Sequence, residues 1–308
     1  MAHNVSLALL LSLSDPRLAD VTACISQGGG TRYWANATGA AGAACLHKDQ
    51  LAFGAMALQA AADFNARDAT TVPEFGTLGA CDKQLALRLH DTAGSTTETV
   101  NAAVGFVADS AAAPNAVVSS GRSTHNMAVA PVLAANGILH VASVATSASL
   151  DDVDFYPRFL RTTPTDEAAA RALCELWKGE MGFEEAFVLH VSDVYGTAYN
   201  DKVVRFCNDL GVVIASYAFA AADGGSIVLA VDELASTRMR VGLIVTHSAD
   251  AVAIAEAMYL AGVVGGARAS LICFSGRQVL SLGSLPPDVA AAMSGSLQAV
   301  QVSSRDLL

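Results

Sequence analysis

The sequence predicts an α/β protein of two lobes, each a parallel sheet flanked by helices, and three observations lead there. From Leu51 onward one pattern recurs, a short β-rich run, a turn of small polar residues and then an amphipathic helical segment. Between Ala148 and Thr165 the pattern breaks: Asp151-Asp152-Val153-Asp154-Phe155-Tyr156-Pro157-Arg158 is acidic and aromatic, and Pro157 opposes helix there, as suits a crossing between lobes. The chain is 308 residues long, 53% hydrophobic and only 15% charged against the roughly 25% usual in globular proteins, so it folds and has material for two cores. These observations place lobe 1 at residues 1–155 and lobe 2 from 156 to about 290.

In chain order, Val5 to Leu13 reads as a buried first strand. No Lys or Arg precedes it and no clear small-residue cleavage site follows, although a short signal-peptide core is the alternative. Residues 14 to 48 make a loop longer than the ~12–15 residues usual inside compact domains. It holds Gly28-Gly29-Gly30, read as flexible, and Cys24 and Cys45, between which a bridge would be useful; the pairing of the six cysteines stays open. The sequons Asn4-Val5-Ser6 and Asn36-Ala37-Thr38 lean towards an extracellular setting. Leu85 to His90 is a strand followed by Asp91 to Ser95 and a helix to about Ala108. Ala116 to Ser119 leads through Ser120 to Ser123 into a helix to about Ala135, and Leu139 to Val144 is strand-like. Ala186 to Val191 leads through Ser192 to Gly196 into a helix that Gly211 closes, and Val241 to Thr246 through His247 to Asp250 into one ending near Ala261. Ser270 to Phe274 is a further strand.

Composition excludes several functions. A net charge of −11 and 29 acidic against 18 basic residues leave no source for phosphate neutralisation, so nucleic acid is not a partner. Mean hydropathy is +0.41, yet no run approaches the ~20 uncharged apolar residues of a spanning helix. Walker A, Gly-x-Ser-x-Gly and His-Glu-x-x-His signatures are absent, and Gly262, Gly265 and Gly266 follow a helix instead of a strand. His90, His190 and His247 stand near strand ends without ligand spacing. Neither an enzyme, a metal nor a cofactor is expected.

Ligands of open α/β sheets bind outside the carboxyl ends of the strands, which directs attention to the polar turns. Ser123 and Thr124 open a helix where hydroxyls and free N–H groups suit a carboxylate, and where one of them serves equally as an N-cap. Thr146 and Ser147 follow a strand and present hydroxyls, or simply form a turn. Asp166 stands three residues after Thr163, with Pro164 at a first helical position, the pattern of a capping box. Tyr195 lies in a post-strand turn, where its ring should be partly exposed at the binding edge.

Taken together, Ser119-Ser120-Gly121-Arg122-Ser123-Thr124, Ala130-Pro131, Gly137-Ile138, Ala145-Thr146-Ser147, Phe159-Leu160-Arg161-Thr162, Pro164-Thr165-Asp166 and Asp193-Val194-Tyr195-Gly196 resemble the receptor-type type I periplasmic-binding-protein fold from about Leu51 to Gly276. Class C G-protein-coupled receptors, natriuretic-peptide-receptor-like guanylyl cyclases, ionotropic glutamate receptors and bacterial branched-chain amino-acid binding proteins share it. The resemblance implies that Ser123 and Thr146 hold an amino acid's α-carboxylate and amino group from lobe 1, beside the hydroxyls of Thr124 and Ser147 read from the turns. It implies that Asp166 and Tyr195 contact its ammonium from lobe 2. Four departures limit the carry-over. Ser119-Ser120 replaces a Gly-Pro, and Val144 stands where metabotropic glutamate receptors have a further ligand-contacting serine. Ser275 replaces a second aspartate, and Ala93 replaces a cysteine that pairs with one resembling Cys45.

The expectation is the extracellular sensing region of a membrane-anchored receptor, with a small amino-acid-like ligand between the lobes, signalling by hinge closure, and a homodimer through lobe 1. A secreted or periplasmic binding protein of a transporter is the alternative, and an enzyme on a doubly wound fold comes third. Against the family the chain is expected to be cut short at its C-terminus, with 291–308 beginning the crossing back to lobe 1.

Overall fold

The computed structural model describes residues 5–11, 48–79, 81–108, 113–119, 122–237, 239–265, 270–275, 285–294 and 297–299. Cys24, Cys45, Gly28 to Gly30, the two sequon asparagines and most of the long loop lie outside the described residues, as does the end of the chain beyond 299. The chain divides into two compact units, Met1–Ala145 with Leu150–Thr163, and Thr146–Ser149 with Pro164–Leu308.

Unit 1 contains β1 (Val5–Leu11), α1 (Lys48–Ala66), β2 (Leu85–Asp91), α2 (Thr96–Ala108), β3 (Ala116–Ser119), α3 (Ser123–Ala135), β4 (Leu139–Ala142) and β5 (Phe159–Arg161). Its strands are all parallel, in the order β2-β1-β3-β4-β5. The apolar run at the amino terminus is the central strand: β1 pairs on both sides, and Ala8 to Leu11 are no more than 3% exposed. A central parallel strand is covered on both faces, hence the unbroken Leu run instead of alternation. The acidic, aromatic stretch after Ala148 ends in β5, which pairs with β4. The chain therefore leaves unit 1 for the last time after Thr163, later than a cut at 155/156.

Unit 2 contains α4 (Asp166–Glu175), β6 (Glu185–Val191), α5 (Val194–Asp209), β7 (Val213–Phe219), α6 (Gly224–Ser236), β8 (Val241–Val245), α7 (Ser248–Leu260), β9 (Leu271–Ser275), α8 (Pro287–Ala292) and β10 (Leu297–Ala299). The parallel order β10-β9-β8-β6-β7, read from its other edge, repeats that of unit 1: second strand, first, third, fourth, fifth. No internal repeat is visible in the residues, yet the two units share one winding. Ala186 to Leu189 at the centre are fully buried, while edge strand β7 exposes Val213 at 64%. Gly242 is required in β8, because a Cβ there would stand 2.5 Å from the Phe187 ring. A π turn, Leu176–Glu180, follows α4 and carries the fully buried Trp177 into a core shared with Cys174 and Cys207. Those two cysteines form a disulfide that ties α4 to α5, a pairing that cysteine count alone leaves open.

Three local expectations need correction. The strand read as Leu139 to Val144 stops at Ala142, and Val144 is 38% exposed. Neither Ser123 nor Thr124 is the cap of α3: Arg122 is the extended residue before it, and its side chain makes no capping hydrogen bond. At α4 the cap is Thr165, whose Oγ1 accepts the N–H of Glu167 at 3.4 Å, so Pro164 precedes the helix instead of opening it.

Candidate functional site

In a sheet wound second-first-third-fourth-fifth, the connections after the first and third strands run to opposite faces, and the gap they leave at the carboxyl edge is where ligands bind. In unit 1 that switch point lies between β1 and β3, in unit 2 between β6 and β8. Ser123 and Thr124 follow β3, and Tyr195 follows β6, so three of the six residues picked from the sequence stand at switch points.

In unit 1 the first turn of α3 is held from below by a buried polar network. Ser119, the last residue of β3, donates its hydroxyl to Asn126 Oδ1, and Asn126 Nδ2 donates to the carbonyl of Arg122 at 2.9 Å. Having spent its hydrogen, Ser119 Oγ accepts from His140 Nε2 at 3.0 Å, which fixes the imidazole tautomer. Ser119, Asn126 and His140 are 2%, 0% and 1% exposed, and burial pushes the His140 pKa down to about 4, so the ring is neutral. Above this network Ser123 is 2% exposed, and the buried Thr124 Oγ1 has no hydrogen-bond partner among the described residues.

Unit 2 gathers the remaining picked residues. The short segment Thr146–Ser149 belongs to it through backbone pairing: the Asp166 N–H donates to the Thr146 carbonyl at 3.2 Å. Ser147 is fully buried and its Oγ accepts the Ser149 N–H at 3.3 Å, a turn-forming bond. Asp166 opens α4 at 5% exposure, where a carboxylate is stabilised by the helix dipole.

Tyr195 lies in the first turn of α5 and is half-buried. Burial, then the charge of Asp166, raise its phenol pKa well above the usual 10, so it stays a neutral donor. Ser275 at the end of β9 gives its hydrogen to the Ile244 carbonyl at 3.3 Å, and the Tyr195 hydroxyl stands 2.9 Å from Ser275 Oγ, positioned to donate to it. Asp193 caps α5 with Oδ1, which accepts the Gly196 N–H at 3.0 Å, while its Oδ2 lies 2.7 Å from His247 Nε2. Gly196 is irreplaceable in this turn, because an added Cβ would meet the Val191 carbonyl oxygen at 1.9 Å. The His247 and Tyr195 rings lie 5.6 Å apart and tilted by 30°. Turns that follow β6, β8 and β9, neighbours in the sheet, are thus joined by side chains along the edge.

Sequence reasoning missed Ser119, Asn126 and His140, and it gave no role to Asp193 or His247. The Asp193 cap is visible as an Asp before a helix. The pairing with His247, 54 residues away, follows only from β6 lying beside β8. Among the described residues no group of three His, Cys, Asp or Glu side chains is placed to hold a metal ion, and no helix is long and apolar enough to cross a membrane.

A family model described as receptor family ligand binding region matches residues 79–269, more than half of the chain. A search of curated proteins finds no match.

Proposed function

This chain belongs to the receptor family ligand-binding region, the periplasmic-binding-protein-like I family found in class C G-protein-coupled receptors and natriuretic peptide receptors, and on that premise we propose that it senses a small amino-acid-like ligand by closure of its two units. Such regions are the extracellular ligand-binding parts of receptors. The observation that carries the reading is the placement of Ser123, Thr124 and Tyr195 at the switch points of two sheets wound alike.

On this reading Ser123 and Thr124 take the ligand's carboxylate at the positive end of the α3 dipole, and Thr146 and Ser147 add hydroxyls. Asp166 and Tyr195 take its ammonium. Hydrogen bonds to charged groups are worth ~1.5–3 kcal/mol each, so two such bonds formed only on closure supply about 3–6 kcal/mol. That is the range needed to turn a mostly open population into a mostly closed one. The Cys174–Cys207 disulfide ties together the helices that carry Asp166 and Tyr195 and suits an oxidising, extracellular setting. The proposal includes a membrane-anchored parent and a homodimer through unit 1, for which exposed Met56 and Leu58 on α1 offer apolar surface. It assigns binding and no turnover, with no cofactor.

Isothermal calorimetry of the chain against the twenty L-amino acids tests the ligand class, and small-angle scattering with and without the tightest binder tests closure. At least one micromolar-to-millimolar binder and a smaller radius of gyration on saturation are expected. Absence of heat with every amino acid overturns the ligand class, and an unchanged radius overturns closure.

A further inference from the structure

The Asp193–His247 pair has no part in holding the carboxylate or the ammonium. Asp193 takes one nitrogen of His247, Nε2, at 2.7 Å. A carboxylate accepts, so Nε2 carries the hydrogen, and in the neutral imidazole Nδ1 is then a hydrogen-bond acceptor. Nδ1 has no partner among the described residues, and the side chain is 14% exposed. The ring stands at the carboxyl edge of β8, beside the ring of Tyr195.

Asp193 itself has little freedom to turn away, because its other oxygen caps α5 and its side chain is only 20% exposed. The tautomer of His247 is thus set by a group that is in turn set by the helix, the arrangement by which outer partners orient metal-binding histidines. The acceptor is held one ring away from the phenol assigned to the ligand's ammonium.

From this geometry we infer that His247 is a specificity-determining ligand contact, that Asp193 is its positioning residue, and that the ligand is an amino acid whose side chain carries a hydrogen-bond donor. The inference rests on the amino-acid reading of the same site. A site built to pair a ligand donor discriminates strongly against the isosteric ligand without it, since the site's own polar atom is then left unpaired.

The test uses amino acids matched in shape that differ in a side-chain donor: L-serine with L-alanine, L-threonine with L-valine, and L-tyrosine with L-phenylalanine. In calorimetry on the full chain, the donor member of at least one pair is expected to bind tenfold or more tightly. His247→Phe keeps a ring against Tyr195 and removes both nitrogens, and should reduce that ratio to below about threefold. Asp193→Asn retains a capping oxygen but turns an N–H toward Nε2, so Nδ1 becomes the protonated nitrogen; the donor preference should disappear there too, with the imidazole intact. Equal affinities within every pair, or a ratio unchanged in both variants, overturn the inference and leave the amino-acid reading standing. Wild-type protein that binds no amino acid overturns both.

Discussion

In unit 1 the turn at the binding edge is fastened from beneath, by Ser119, Asn126 and a neutral His140, none more than 2% exposed. In unit 2 it is fastened along the rim, by Asp193 with His247, both partly open to solvent, and by Tyr195 with the buried Ser275. The winding of the two sheets is the same, so the difference lies in the side chains alone. A buried neutral network is costly to disturb and does not respond to salt, whereas a partly open pair that includes a carboxylate does respond. On the proposed reading, unit 1 presents a fixed set of hydroxyls and unit 2 discriminates between ligands.

The largest expected effect breaks unit 2 alone. Replacing both Cys174 and Cys207 by serine removes a link across 33 residues, which costs about 3–4 kcal/mol. Hydrogen exchange followed through a urea titration should show protection lost earlier in β6 to β9, with β1, β3 and β4 unmoved; equal loss in both units would contradict their separate stabilities.

Acid probes the comparison next. Folded His140 stays neutral down to about pH 4, whereas the unfolded chain takes up that proton near 6.5. In that window the unfolded state binds more protons, so stability rises with pH and is lost on acidification, by about 3 kcal/mol at the lower end. His190 in unit 2 is shifted down by burial as well, though less completely enclosed at 7% exposure. Thermal melts between pH 4 and 7 should flatten more for His140→Gln than for His190→Gln, and the reverse order would sink the assignment of the neutral network to unit 1.

A smaller effect dissects that network. Ser119→Ala leaves Asn126 Oδ1 and the N–H of His140 without their shared partner, at a cost of about 1–3 kcal/mol. Ser143→Ala, which removes only a second bond at 3.2 Å to the Ser119 carbonyl, should cost less than about 1 kcal/mol. Similar losses for both in a denaturant titration would argue against a network centred on Ser119.

Much of the fold is legible in the sequence, because a strand buried on both faces is apolar along most of its length. Val5 to Leu11, Ala186 to Val191 and Val241 to Val245 announce themselves in that way. The cap of α3 is easily misread because two hydroxyl residues stand where a cap is useful, while Arg122 supplies the extended backbone without a capping bond from its side chain. The repeated winding is hidden since strand order is set by which face each crossover helix covers, which leaves no residue-level repeat. His247 and Asp193 are each visible, but their meeting depends on β6 lying between β7 and β8, out of chain order. The disulfide is hidden for the same kind of reason: Cys174 and Cys207 lie on different helices that only packing brings together.

The central claim is that both units contribute to one binding event. Calorimetric titration of the tightest-binding L-amino acid into Ser123→Ala and Tyr195→Ala measures it directly. Each substitution, one per unit, is predicted to weaken binding tenfold or more while the thermal transition moves little. Wild-type affinity in either variant would contradict the account.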